Sequence, residues 1–125
     1  MLTIDLNRCG KTMNNKLILS WRPRAQLDKE SIALYLGVEQ RSFQAALRVI
    51  SAIDETLDRL CMFPDMGKRF ESSELEEKGY RSALSKPYII VYRCNDTTLT
   101  VYRIIHERFN IDDYTLLNLD ESLYD

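Results

Sequence analysis

The stretch PYIIVYRCNDTTLTVYRII, residues 87–105, decides the fold of this chain. Two runs rich in β-branched and aromatic residues, 87–93 and 98–105, flank Asn95-Asp96, a pair that favours a tight turn between strands. The stretch therefore predicts an antiparallel hairpin. The run YRSAL, residues 80–84, predicts a further strand just before it.

The register of this hairpin determines which side chains share a face. With Asn95-Asp96 as the loop, residue 94 pairs with 97, 92 with 99, 90 with 101 and 88 with 103. One face then carries Tyr88, Ile90, Tyr92, Leu99, Val101, Arg103 and Ile105, and the other carries Ile89, Val91, Arg93, Thr98, Thr100, Tyr102, Ile104 and His106. We expect the first face to pack on helices and the second to be partly open. A slip of one residue in either strand would exchange these assignments.

The residues before the hairpin predict one short strand and two helices. Residues 17–21 are a β candidate that ends at Pro23, and residues 22–36 predict a first helix with Gly37 after its end. Apolar residues then recur at steps of three and four, which predicts a second helix that ends at Pro64 and Gly67. This apolar stripe comprises Phe43, Leu47, Ile50, Ile53, Leu57 and Leu60. The connector SELEEKG, residues 73–79, is long enough only for a turn of helix.

The fold class that follows is α+β, in the order β-α-α-β-β-β. A helical hairpin packs on one face of a small, mostly antiparallel sheet. We divide the chain into a flexible N-terminal extension at 1–12, a folded domain at 13–111 and an acidic tail at 112–125. We expect the tail to dangle or to pack loosely. In the alternative, it forms an amphipathic helix that folds back on the basic sheet face.

Composition excludes several classes of protein. The 125 residues contain no apolar run of membrane-spanning length, and the N-terminus lacks the apolar stretch of a secretory signal. The three scattered cysteines indicate reduced thiols of a cytoplasmic protein, with no metal site. Residues 1–111 hold all 17 basic residues and 14 of the 19 acidic ones, a formal charge of +3. That excess suits an acidic or anionic partner, or simply a solvated surface, and is too small for an autonomous nucleic-acid binder.

Four segments in this order resemble the RelE/ParE toxin superfamily of type II toxin–antitoxin systems. They are IALYL (32–36), LCMFPDMGKRF (60–70), GYRSALSKPYIIVYR (79–93) and LTVYRIIHERFNI (99–111). The superfamily has a RelE-like branch that cuts mRNA on the ribosome and a ParE-like branch that poisons DNA gyrase. In the nuclease branch, an Arg is usual where this chain has Ile89, and the preceding strand is usually lysine-rich where this chain has only Arg81. The resemblance is therefore closer to the ParE-like branch.

The resemblance implies a toxin that binds gyrase, arrests growth and supports plasmid stabilisation, with no catalytic residue, no cofactor and no metal. The candidate target-binding residues are Arg81, Arg93, Tyr102, His106 and Arg108. If the chain is instead a ribosome-dependent endoribonuclease, the catalytic candidates are Arg81, Arg93, His106 and Tyr114. Each of these residues also has an ordinary alternative, as a solvated surface charge or a packing aromatic. A third alternative is a non-toxic remnant that still binds an antitoxin.

The only histidine, His106, lies in IIHERFN, which is similar to the closing His-x-Arg-x-Asp pattern of ParE-type chains with Asn110 in place of the Asp. We expect it to hold the exit of the last strand by a hydrogen bond or to contact a partner, in preference to acting as a general base.

The resemblance implies two partners, a cognate antitoxin and DNA gyrase, or alternatively the ribosome and mRNA in place of gyrase. It implies no membrane binding, and contact with DNA only through the antitoxin or gyrase. Trp21 and the exposed sides of both helices are candidates for antitoxin binding, with core packing as the alternative for Trp21.

Overall fold

A computed structural model describes residues 16–109 and Leu119, and within 16–109 it contains one five-stranded sheet. The strand order is β1-β5-β4-β3-β2, with β1 parallel to β5 and every other pair antiparallel. The strands are β1 (Ile18–Trp21), β2 (Lys68–Arg69), β3 (Arg81–Ser85), β4 (Tyr88–Cys94) and β5 (Thr98–His106). The short edge strand β2 was not predicted, because two residues carry no periodic signal.

Two long helices follow β1, as the sequence predicts. Helix α1 (Pro23–Leu34) begins at a proline, whose fixed φ suits the first turn, and continues as one π-helical turn over Tyr35–Glu39. Helix α2 (Phe43–Met62) begins after Ser42, whose hydroxyl accepts a hydrogen bond from the Ala45 N–H at 3.1 Å. Helix α3 (Ser73–Glu77) is the predicted single turn. The predicted α+β class and element order are confirmed.

The first core lies between the helical hairpin and the sheet. Ile53, Leu57 and Leu60 of α2 are fully buried there against the sheet residues Ile90, Tyr92, Leu99 and Val101. The apolar stripe of α2 is buried only in its C-terminal half, since Phe43 and Leu47 at its start are 71% and 52% exposed. The hairpin therefore extends beyond the sheet at its tip.

A second core lies on the opposite face of the sheet. Its buried members are Phe70, Leu75, Tyr80, Val91, Tyr102 and Ile105, with Ile89 and Leu119 packed against them. We name this set the back cluster. The connector 70–80, which includes α3, covers part of the face that we expected to be partly open, and at Leu119 the tail returns to this face.

The predicted register of the β4–β5 hairpin is wrong by two residues near its turn. Cys94 pairs with Leu99 and Tyr92 with Val101. The side-chain oxygen of Asn95 accepts hydrogen bonds from the N–H groups of Thr97 and Thr98, both at 2.9 Å, so Asn95 begins the turn and the loop is 96–97.

A β-bulge changes the register again further from the turn. Tyr92 pairs with Val101, but Val91 pairs with Arg103, so β5 carries one extra residue at this point. Beyond the bulge the predicted faces of β5 are exchanged, because Ile104 joins the first core and Ile105 joins the back cluster. The predicted faces of β4 hold, with Tyr88 and Ile90 in the first core. Alternation of side chains cannot reveal a bulge, since the bulge itself interrupts the alternation.

The cysteines also depart from the prediction. Cys61 is a free, buried thiol, and burial raises its pKa. Cys94, in contrast, is disulfide-bonded, so the prediction that all three cysteines are reduced is wrong. The Cys94 partner lies outside the described residues. Disulfide formation depends on the distance between two side chains in the folded chain, which cysteine spacing does not give.

Several predictions fall outside the described residues, namely the extension 1–12, Tyr114 and the tail 112–125 apart from Leu119. In the part of the chain that is described, no helix combines the length and apolarity needed to cross a bilayer. Within residues 16–109 and Leu119, no group of three or more His, Cys, Asp or Glu side chains is placed to hold a metal ion.

Candidate functional site

A cavity of about 540 Å³ lies where β1 runs into α1, beside the end of β4 and the start of β5. We call it the basic groove. Three cationic side chains line it, Arg22, Lys78 and Arg93, and none of its described lining residues is acidic. Its uncharged lining residues include Ser20, Trp21, Asn95, Thr100 and Tyr102. Such a concentration of like charge favours an anionic ligand.

Arg93 is held between two aromatic rings at the base of this groove. Its guanidinium carbon lies 4.8 Å from the Tyr80 ring centre and 5.1 Å from that of Tyr102. Nη2 also donates a hydrogen bond to the Tyr102 hydroxyl at 2.8 Å, and Nη1 donates to the Lys78 carbonyl at 3.4 Å. These contacts fix the guanidinium and keep its charge at the groove.

Arg22 approaches the same tyrosine. Its guanidinium carbon lies 5.5 Å from the Tyr102 ring centre, so two guanidinium groups share one aromatic ring. Arg22 and Lys78 were not among the predicted site residues. The position of Arg22 directly after β1 could have indicated it. Because Trp21 pairs with Val101 of β5, a residue that follows β1 lies close to Tyr102.

Arg81 lies elsewhere, beside the loop that follows α2. It is 8% exposed, donates a hydrogen bond to the Gly67 carbonyl at 3.1 Å and forms an ion pair with Asp65 at 3.4 Å. Its cross-strand neighbour is Tyr92, whose hydroxyl donates to the Pro64 carbonyl at 2.6 Å. These contacts tie the 64–67 loop to the sheet, so the structure separates Arg81 from the basic groove.

His106 ends β5 on the exposed rim of the sheet. Its ring packs edge-on against the Tyr88 ring at 5.6 Å, and its Nδ1 accepts a hydrogen bond from the Arg108 N–H at 3.2 Å. The ring therefore holds the turn through which the chain leaves the strand. The Arg108 side chain is exposed at the same place.

His106 and Arg93 lie far apart along the sheet. Arg93 pairs with Thr100, and His106 is six residues further along β5. At the rise of an extended strand these positions are about 20 Å apart. Of the five predicted target-binding residues, the structure brings Arg93 and Tyr102 together at the basic groove and His106 and Arg108 together at the far end of β5. Arg81 lies apart from both pairs.

Trp21 belongs to two environments. Its half-buried ring packs against the first core, the Lys29 ammonium lies 4.9 Å from the ring centre, and the residue also lines the basic groove. Trp21 ends β1, which forms one edge of the sheet. The neighbouring edge residues Ile18 and Leu19 are 68% and 39% exposed.

The tip of the helical hairpin exposes a group of large apolar side chains. This hairpin-tip patch consists of Leu34, Tyr35, Val38, Phe43 and Leu47, which are between 48% and 71% exposed. Apolar exposure concentrated in one region of a small protein is typical of a protein-binding surface.

The comparisons with known proteins agree with this fold. A family model described as "ParE toxin of type II toxin-antitoxin system, parDE" matches residues 19–111. A solved chain from the "Chromosomal ParDE TA system from P. aeruginosa" is similar to this one, with a TM-score of 0.56 and 21% identity over 73% of this chain and 96% of that chain. At that identity the likeness establishes the fold. No curated protein matches. Since the family model covers well over half of the chain and confirms the predicted ParE-like resemblance, this chain belongs to the ParE toxin family of type II toxin–antitoxin systems.

Proposed function

We propose that this protein is a toxin that inhibits DNA gyrase by binding it and so arrests growth until a cognate antitoxin binds the toxin. Its place of action is the cytoplasm, where gyrase meets DNA, and a plasmid that encodes such a pair would be stabilised. The toxin touches DNA only through gyrase or the antitoxin. Family membership supports the assignment of this chain as a toxin. The placement of the candidate residues supports inhibition by binding, without a catalytic step.

The observation that carries this proposal is that the catalytic candidates Arg81, Arg93 and His106 lie apart from one another. Metal-free cleavage requires a base at the 2′-hydroxyl and positive charge at the adjacent phosphate, within a few ångströms of each other. His106 and Arg93 are about 20 Å apart along the sheet. Arg81 is engaged with Asp65 and Gly67. Tyr114 lies outside the described residues.

A supercoiling assay with purified gyrase tests the proposal. We expect the protein to inhibit supercoiling or to accumulate linear, gyrase-cleaved DNA. Arg93→Gln should weaken this effect, because it removes a groove cation, whereas Arg48→Gln on the exposed side of α2 serves as the charge-matched control. Gyrase that is unaffected by a large excess of folded protein would contradict the proposal.

The second candidate function is ribosome-dependent mRNA cleavage, and the three cations of the basic groove favour it, since they suit a phosphate. Primer extension on mRNA from expressing cells would then show new cuts within codons. Cutting that Arg93→Ala and His106→Ala both abolish would establish this function in place of gyrase inhibition. Expression without growth arrest, with antitoxin binding retained, would instead identify a non-toxic remnant.

The antitoxin surface that we propose combines β1, an edge strand of the described sheet, with the hairpin-tip patch. An extended peptide can pair with an edge strand, and an amphipathic helix can cover exposed apolar side chains. Ile18 and Leu19 provide apolar contacts along that edge, and Trp21 lies at its end. Backbone pairing at the edge and apolar contacts at the patch would together compensate the entropy that a partly disordered antitoxin segment loses when it folds on the toxin.

A further inference from the structure

Leu119 shows where the C-terminal segment meets the domain. This residue is half-buried and packs against the back cluster, which contains Tyr80 and Tyr102. The same two rings enclose Arg93, and Tyr102 lines the basic groove. Leu119 therefore lies on the face of the sheet that carries the groove.

The length of chain after β5 is sufficient for this return. Nine residues separate Phe109 from Leu119. When extended they span roughly 30 Å, which exceeds the ~20 Å between His106 and the level of Thr100 on β5.

Charge makes the segment and the groove complementary. Residues 112–125 contain five acidic residues, Asp112, Asp113, Asp120, Glu121 and Asp125, and no Lys or Arg. Asp120 and Glu121 directly follow Leu119. The groove contributes three cations, and no acid is found among its described lining residues.

We propose that the basic groove is a binding site for an acidic peptide and that residues 112–125 of the same chain are its occupant. The Leu119 side chain anchors the segment on the back cluster by apolar contact. The carboxylates that follow pair with the groove cations through charge-assisted hydrogen bonds, which are stronger than neutral ones. The segment thereby competes with any other anionic ligand of the groove. The inference concerns the ligand of the groove and does not require that gyrase be the target of the toxin.

The single tryptophan of the chain provides the first test, because Trp21 lines the groove. In the full-length protein, Asp120→Asn/Glu121→Gln removes two charges from the segment. Glu39→Gln/Glu55→Gln removes two charges from exposed positions elsewhere and is the matched control. Iodide should quench Trp21 fluorescence about twofold more efficiently in the first variant than in the control, since uncovered cations attract an anionic quencher. Equal quenching of the two variants would overturn the proposal.

The second test supplies the segment in trans. A fluorescein-labelled peptide of residues 112–125 is titrated into the Asp120→Asn/Glu121→Gln protein. It should bind, more weakly as salt is raised, and Lys78→Gln should weaken binding severalfold while Lys86→Gln, on the exposed β3–β4 turn, does not. Absence of binding, or binding that is indifferent to Lys78→Gln, would overturn the proposal. Lys78-dependent binding of a duplex DNA oligonucleotide without binding of the peptide would also overturn it, and would assign the groove to nucleic acid.

The third test addresses the apolar anchor. Leu119→Ser in the full-length protein should shift the methyl resonances of Ile89 and Ile105, which belong to the cluster that Leu119 contacts. Leu84→Ser, an exposed position on β3, is the control. Methyl resonances that are unchanged by Leu119→Ser would overturn the anchoring part of the inference and the proposal with it.

Discussion

The carboxylate of Asp28 joins helix α1 to strand β5 at a point where both side chains are largely buried. Its Oδ2 accepts hydrogen bonds from Arg103 Nε at 2.6 Å and from the Ile104 N–H at 3.0 Å, and its Oδ1 accepts from Arg103 Nη2 at 3.2 Å. The side chains of Arg103 and Asp28 are 9% and 14% exposed. One acidic residue therefore compensates a buried guanidinium and a backbone N–H together.

We expect Asp28→Asn to lower the free energy of unfolding by about 3–5 kcal/mol, because it removes the negative charge that lies against the buried Arg103 guanidinium. Asp54→Asn, which breaks the exposed ion pair with Lys29, is the control and should cost less than about 1 kcal/mol. Urea unfolding of both variants measures the difference. Similar losses would mean that burial of the Asp28 pair has no energetic consequence.

Tyr92 has a strongly raised pKa, because its phenol is buried in the fold. Burial raises its pKa to about 12, above the ordinary value near 10, and its hydroxyl is bound to the Pro64 carbonyl. Gly67 lies against this ring, and a Cβ at that position would collide with the Tyr92 hydroxyl.

The raised pKa makes stability fall at high pH. The folded protein holds the phenol proton more tightly than the unfolded chain does. This contribution to stability is therefore fully present below about pH 10, and on the order of 2–3 kcal/mol is lost as the pH rises through about 12. Tyr92→Phe should be about 1 kcal/mol less stable at pH 8, since the Pro64 carbonyl loses its donor, but should lose less stability above pH 10. Urea unfolding from pH 8 to 12 tests this, and parallel curves for the two proteins would refute it.

At the scale of the element, helix α2 divides into a buried half and an exposed half. Ile53, Leu57 and Leu60 complete the first core, while Phe43 and Leu47 continue the same stripe into solvent. A helix whose apolar stripe exceeds the surface beneath it is suited to bind a second protein with the excess.

We expect Phe43→Asp/Leu47→Asp to weaken binding of the cognate antitoxin by about tenfold or more, because a charge replaces an apolar contact. Both residues are exposed, so the stability of the toxin itself should change little. Leu84→Asp, an exposed site on β3, is the control. Affinity is measured by calorimetry with the cognate antitoxin, and an unchanged affinity would exclude the hairpin-tip patch from that interface.

The whole molecule consists of one sheet with a core on each side. The first core is larger and joins α1, α2, β1, β4 and β5, whereas the back cluster depends on the connector 70–80 and on Leu119. The two sides differ in the chemistry of their exposed side chains as well as in size. The hairpin side offers apolar contacts, and the opposite side offers the cations of the basic groove.

Native-state hydrogen exchange should follow this organisation. We expect the slowest exchange in β4, β5 and the C-terminal half of α2, where residues such as Ile53 and Val101 are fully buried. The π-helical turn Tyr35–Glu39 at the hairpin tip should exchange fastest among the residues of the helical hairpin, because its side chains are mostly exposed. Uniform protection along α2 would contradict this division.

The sequence alone was sufficient to predict the helices, the strands other than β2, and their order. Alternation in β4 and β5, the three-and-four spacing of α2, and Pro23, Pro64 and Gly67 at the ends of elements are local signals, and each specifies a local backbone conformation. The first-face positions on the turn side of the bulge, such as Tyr92 and Val101, were also predicted correctly. Side chains alternate between the two faces of a sheet, so a register shift of two residues leaves each side chain on its predicted face.

Only the tertiary structure decided which chemical groups meet. The turn that begins at Asn95 and the bulge at Val91/Tyr92 set the cross-strand pairs, and they place Ile105 and His106 on faces opposite to those predicted. The Asp28–Arg103 pair, the separation of Arg81 from Arg93 and the convergence of Arg22, Lys78 and Arg93 join residues that are distant in sequence. Periodicity fixes the direction of a side chain within its own element. Contact between elements depends on register and packing, which a local pattern does not contain.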